Sequence, residues 1–93
     1  MGHTVIEDVE DRVGNRVIRR KIIKTDDPQY PSGYRYALHH GYTDGGGTIL
    51  RYDNENETVG RHERHTANEV IEIEFPGMTE LRDRFLSKIE NQP

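Results

Sequence analysis

The feature that most constrains this chain is a change of hydrophobic period near its C-terminus. Before Pro76-Gly77 the clearest apolar segments alternate at every second position, as on one face of a β-strand; after it the apolar residues recur at helical spacing. In the clearest strand, Tyr34, Tyr36, Leu38, His40 and Tyr42 share one side, and Arg35, Ala37 and His39 share the other. Glu69 to Phe75 also alternates, with Ile71, Ile73 and Phe75 opposed to Glu72 and Glu74. From Met78 the stripe of Met78, Leu81, Phe85 and Ile89, widened by Leu86, predicts an amphipathic helix with Thr79 near its start. Strands followed by one helix imply an α+β domain in which the helix closes one face of an antiparallel sheet.

Turn residues divide the strand region. Gly14-Asn15 separates Thr4 to Arg12 from Arg16 to Lys24 and predicts a hairpin. The stretch Asp26-Asp27-Pro28-Gln29-Tyr30-Pro31-Ser32-Gly33 is a surface loop, since two prolines and a glycine forbid a regular element. Asp44-Gly45-Gly46-Gly47 reverses the chain into Thr48 to Asp53, where Leu50 and Tyr52 oppose Ile49, Arg51 and Asp53. Asn54 to Asn68 is polar and without periodicity, and is expected to be a long loop of the kind that often carries function. The total is a sheet of about five strands.

Ninety-three residues suit a single domain. With 31% hydrophobic and 32% charged residues the core is thin, which invites support from a homodimer or another partner. The apolar residues nevertheless cluster, in VIRRKII, YRYALHHGY, TILRY and VIEIEF, as they do not in disordered chains. The absence of cysteine excludes disulfides, thiolate metal sites and a cysteine nucleophile. No apolar run approaches the roughly 18 residues needed to cross a bilayer, and the first residues are acidic, so a cytoplasmic protein with no membrane contact is expected. A net charge of -4 argues against coating nucleic acid by bulk electrostatics. A local basic stretch exists all the same: Arg12, Arg16, Arg19, Arg20, Lys21 and Lys24, with acids just before and after it. It reads either as a charge-protected edge strand or as a polyanion contact through Arg19, Arg20 and Lys21.

Histidine is the side chain whose ordinary pKa lies near neutrality, which makes the five histidines the first candidates for proton transfer. His3 lies near the terminus and is set aside, and His40 alternates with tyrosines as a packing residue. His39 shares the other face with Arg35. The segment Arg61-His62-Glu63-Arg64-His65 combines cations with proton donors, a pairing suited to a phosphodiester; the bland alternative is a charged solvent loop. His62 and His65 could also join His39 and Asp53 around a zinc or manganese ion, although His-x-x-His alone is a weak signal. Gly45-Gly46-Gly47 joins two strands and therefore supplies turn geometry, not a phosphate cradle.

The order Tyr34-Arg35-Tyr36-x-Leu38-x-x-Gly41-Tyr42, a glycine turn, Leu50-Arg51-Tyr52-Asp53-Asn54-Glu55, Gly60-x-His62-x-x-His65, a strand ending in Phe75 and a helix carrying Leu81 and Phe85 resembles the TumE family of toxins from toxin–antitoxin systems. The resemblance covers about Tyr34 to Ile89, and the N-terminal hairpin fits in outline. His40 stands where that family usually has an aromatic residue, and the family's histidines lie closer together than His62 and His65. The resemblance implies a toxin acting inside its own cell, held inactive by a cognate antitoxin. By analogy with other small strand-rich toxins, RNA is the expected target. The scheme that follows needs no metal or organic cofactor. His65 and His62 act as base and acid in either order, Arg51 meets the transition state, Asp53 orients a histidine, and His39 stands in reserve. Arg19, Arg20, Lys21, Arg35, Arg61 and Arg64 are the expected contacts to nucleic acid or partner. The competing reading is a non-catalytic nucleic-acid- or protein-binding module.

Overall fold

The computed structural model describes residues 2–55 and 58–90; Asn56 and Glu57, inside the expected long loop, lie outside them. Among these residues six strands run in chain order across one open antiparallel sheet: β1 (His3–Val13), β2 (Arg16–Thr25), β3 (Tyr34–Tyr42), β4 (Thr48–Asp53), β5 (Glu63–Thr66) and β6 (Val70–Glu72). Helix α1 (Met78–Glu90) follows. The α+β architecture is the one that the change of period implies, with one strand more than expected. The addition is β5, a four-residue polar strand within the segment read as a loop. The last expected strand is shorter: β6 ends at Glu72, and Ile73 donates its N–H to the His62 carbonyl at 2.9 Å.

Gly14, at φ 60°, opens the two-residue turn into β2 as the first position of a type II′ hairpin requires. Because antiparallel partners carry their side chains on the same side, register assigns each residue to a face. Ile22, Tyr36, Leu38, Leu50 and Tyr52 meet Met78, Leu81 and Phe85 of the helix in one buried cluster. Burial of each large apolar side chain contributes about 1.5–3 kcal/mol, so these few positions dominate the stability of a small domain. His40 belongs to the same face and is 2% exposed, consistent with a packing role. The opposite face carries Arg19, Lys21, Arg35, Ala37, His39, Arg51, Asp53, Glu63 and His65, and α1 does not cover it.

The basic stretch is not an edge. β2 lies between β1 and β3, and the acids that precede it in sequence fold back beside it. Arg19 pairs with Asp8 at 2.9 Å, Arg20 with Glu7 at 3.2 Å and Asp11 at 3.4 Å, and Lys21 with Glu55 at 3.0 Å. Glu7 also receives two hydrogen bonds from Arg82 of α1, at 2.8 and 3.0 Å, which tie the first strand to the last element. The Arg82 hydrogen bonds hold the Glu7 carboxyl below its ordinary pKa against the opposing effect of burial, with Arg20 assisting.

Candidate active site

Four consecutive residues at the end of β4 do four different jobs. Tyr52 points into the core, 1% exposed and edge-on to Phe85. Asp53, fully buried, points to the opposite face. Asn54 extends the ladder with its side chain: its Oδ1 accepts from the Tyr36 N–H at 3.0 Å, and its Nδ2 donates to the Tyr34 carbonyl at 2.7 Å. Glu55 receives Arg35 at 2.6 Å and Lys21 at 3.0 Å; burial pushes its carboxyl up, but these two cations outweigh it and hold the pKa low. Asn54 thereby fixes the strand end that positions Asp53. A further constraint comes from Gly60, at φ 86°, whose N–H donates to the Asn54 carbonyl at 3.0 Å. A Cβ there would lie 2.3 Å from the Gln29 carbonyl oxygen, so only glycine fits.

On the helix-free face, register aligns His39, Arg51 and His65 in one row across β3, β4 and β5. Adjacent strands lie about 4.8 Å apart, so the arginine is flanked by an imidazole on each side. Arg51 donates from Nε to Asp53 Oδ2 at 2.5 Å. His65 Nε2 lies 3.6 Å from Asp53 Oδ2 and 3.5 Å from Glu63 Oε1. His39 Nε2 is 3.2 Å from Thr48 Oγ1. Its ring occupies space above Gly41, where a Cβ would meet it at 2.9 Å. Burial, then the charge of Arg51 and the neighbouring His40, lower the His39 pKa and favour the neutral imidazole, the form that accepts a proton. A guanidinium between two imidazoles can bind an anion and move protons on either side of it.

The family described as Toxin TumE matches the chain over residues 3–93. The chain belongs to the TumE toxin family. No curated protein and no solved structure gives a significant match. The TumE match takes in β1 and β2, and so reaches well beyond the Tyr34–Ile89 span that carries the sequence resemblance.

Within this TumE-type chain the two histidines of the Gly-x-His-x-x-His segment part company. Neighbouring residues in a strand face opposite ways, so positions three apart lie on opposite sides of the sheet. His62, one position before β5, continues this alternation onto the helix side, where its ring stacks on Phe75 with centroids 4.5 Å apart and its Nδ1 lies 2.8 Å from the Tyr36 hydroxyl. Burial lowers its pKa, and burial also raises that of Tyr36. His39, held in reserve on sequence grounds, takes its place beside Arg51. Parity along Tyr34–Tyr42, and along Glu63–Thr66 carried one residue back to His62, is the signal that separates His39 from His62 once Glu63–Thr66 is read as a strand.

The expected contact cations all have carboxylate partners. Besides the pairs of Arg19, Arg20, Lys21 and Arg35, Arg61 lies 3.6 Å from Glu63 and 3.8 Å from Glu72, and Arg64 lies 3.4 Å from Glu69. Arg64 faces the helix side opposite Tyr52, away from Arg51. Among the described residues no helix is long and apolar enough to cross a membrane.

Proposed function

We propose that this toxin cleaves RNA on its helix-free face by acid–base chemistry, with His39 and His65 flanking Arg51. In this reading His39 takes the proton from a ribose 2′-hydroxyl, which attacks the adjacent phosphorus. Arg51 binds the non-bridging phosphate oxygens as negative charge develops, and His65 gives a proton to the departing 5′-oxygen. The bond formed is 2′-O–P and the bond broken is P–O5′, so the products end in a 2′,3′-cyclic phosphate and a 5′-hydroxyl. Asp53 holds Arg51 and His65 in place, and Asn54 holds the strand end that carries Asp53. The observation that supports the scheme best is the aligned row of His39, Arg51 and His65 on three adjacent strands.

Membership of a toxin family also leads us to infer a cognate antitoxin. The mixed-charge surface of β1 and β2 suits a protein partner better than RNA, because an incoming polyanion would have to displace carboxylates already paired with Arg19, Arg20 and Lys21. The cytoplasm is the compartment in which such a pair would act.

The deciding experiment incubates purified protein in EDTA with an RNA oligonucleotide and with the same oligonucleotide carrying 2′-deoxy sugars. Cleavage of the first alone, with a bell-shaped pH profile, supports the mechanism. Intact RNA under conditions where the protein arrests growth would overturn it, and so would equal cleavage by the double variant His39→Ala/His65→Ala.

A further inference from the structure

Beside the row of His39, Arg51 and His65, the helix-free face holds a second arrangement, of carboxylates, that shares Asp53 with the proposed mechanism. Asp53, Glu63 and Glu72 stand directly opposite one another on β4, β5 and β6, a row of three carboxylates across adjacent strands. Like charges directly opposed across a ladder are unfavourable, and Asp53 is fully buried. Arg51 and Arg61 supply part of the counter-charge from the sides. Into the space between the first two carboxylates points the imidazole of His65, two residues from Glu63 on the same strand and face.

From this convergence we propose that Asp53, Glu63 and His65 form a binding site for a zinc-class transition-metal ion, with water completing the coordination. Their donor atoms all lie within 4.8 Å of one another. Two edges of the triangle, His65 Nε2 to Asp53 Oδ2 at 3.6 Å and to Glu63 Oε1 at 3.5 Å, already approach the length that a tetrahedral ion demands. Metal–ligand bonds of about 2.0–2.1 Å set donor–donor edges of roughly 3.3–3.4 Å. The chemistry of the set, one imidazole and two carboxylates, suits zinc, manganese or cobalt and lacks the oxygen-only character that calcium and magnesium prefer. All three residues ride on paired strands and not on loops, so little has to be ordered on binding. The Arg51 hydrogen bond to Asp53 is compatible with ligation, because ligating carboxylates commonly receive hydrogen bonds from outside the coordination shell.

The site has a consequence that rests on the proposed ribonuclease mechanism. A metal-bound Nε2 carries no proton, so an ion there withdraws His65 from acid catalysis and stops cleavage. Metal binding and turnover thus compete for one nitrogen.

The test is isothermal titration of the untagged full chain with zinc chloride at pH 7.5, followed by cobalt(II) absorption spectroscopy. One ion per chain is expected, with affinity reduced at least tenfold in His65→Ala and in Glu63→Gln and unchanged in His62→Ala. Circular dichroism of each variant checks that it is folded. Absence of zinc binding by the wild-type chain would overturn the site, as would equal affinity in folded His65→Ala and Glu63→Gln. Binding is read without RNA, so it stands or falls separately from catalysis. If zinc binds as expected but leaves RNA cleavage unchanged, the acid role of His65 is what fails.

Discussion

The two faces of the sheet use the same residue type for opposite ends. On the helix side, His40 and His62 are packing residues: one is buried among core side chains, and the other is stacked on Phe75 and in hydrogen-bonding reach of Tyr36. On the helix-free side, His39 and His65 flank the Arg51 guanidinium, and His65 also meets the buried Asp53 carboxylate. Nothing in the histidines themselves separates these fates. The parity of a residue's position along a strand, or along the residue that leads into it, does, because it decides whether an imidazole meets aromatic rings or charged, hydratable groups.

That contrast can be broken from either side, and the covered face gives the largest expected effect on stability. Phe85→Ala removes a fully buried ring that meets Tyr52 edge-on, and should cost about 3–5 kcal/mol in denaturant unfolding. Truncation before Met78 removes the whole cover and should leave an aggregating chain; dispersed amide resonances from that truncation would overturn the packing described.

On the open face, His39→Ala and His65→Ala should each lower the cleavage rate roughly 10²–10⁴-fold while moving the unfolding midpoint little. His62→Ala should do the reverse, losing roughly 1–3 kcal/mol of stability with its stacking and the Tyr36 contact, and keeping the pH profile of cleavage. Equal activity losses at all three positions would erase the distinction between the faces.

Acid sharpens the comparison more gently. The pKa values of His39, His40 and His62 are lowered in the folded chain, by burial first in each case. Below the ordinary value of about 6.5 the unfolded state therefore binds more protons than the folded state, and stability falls as pH drops through that window. Glu7 and Glu55, also lowered, add a second loss below the ordinary carboxylate pKa. Thermal melts between pH 7.5 and 4 should show both stages, and His40→Gln should weaken the first.

The smallest effect belongs to the hairpin. Arg19→Ser removes an exposed pair with Asp8, so its cost should be only about 0.2–1 kcal/mol and should shrink with added salt. A loss of antitoxin affinity without loss of RNA cleavage would assign that surface to the protein partner.

Most of the fold was legible because apolar alternation and glycine turns are local signals. Tyr34 to Tyr42 and the helix from Met78 stand close to where periodicity predicts them. Strand β5 escaped because Glu-Arg-His-Thr contains no apolar residue; it becomes a strand through its pairing with β4 and β6. Missing that strand hid the opposite facing of His62 and His65. Arg51 and Asp53 were legible as chemistry-bearing residues on one face of a strand. The roles of Asn54 and Glu55 were not, since they depend on backbone groups of β3 and on cations of β2 and β3 brought close by the sheet.

The clamp between Glu7 and Arg82 bears on when this fold can close during synthesis. Each strand pairs with the next, so the sheet can be assembled in the order in which it leaves the ribosome. The hydrogen bonds from Arg82 to Glu7 span 75 positions of sequence and join the first strand to the last element. A nascent chain that has not yet released α1 cannot make them, nor can it cover Tyr36, Leu38 and Tyr52. Completion of the fold thus waits for the release of α1, and a product terminated before Met78 lacks both the clamp and the helical cover.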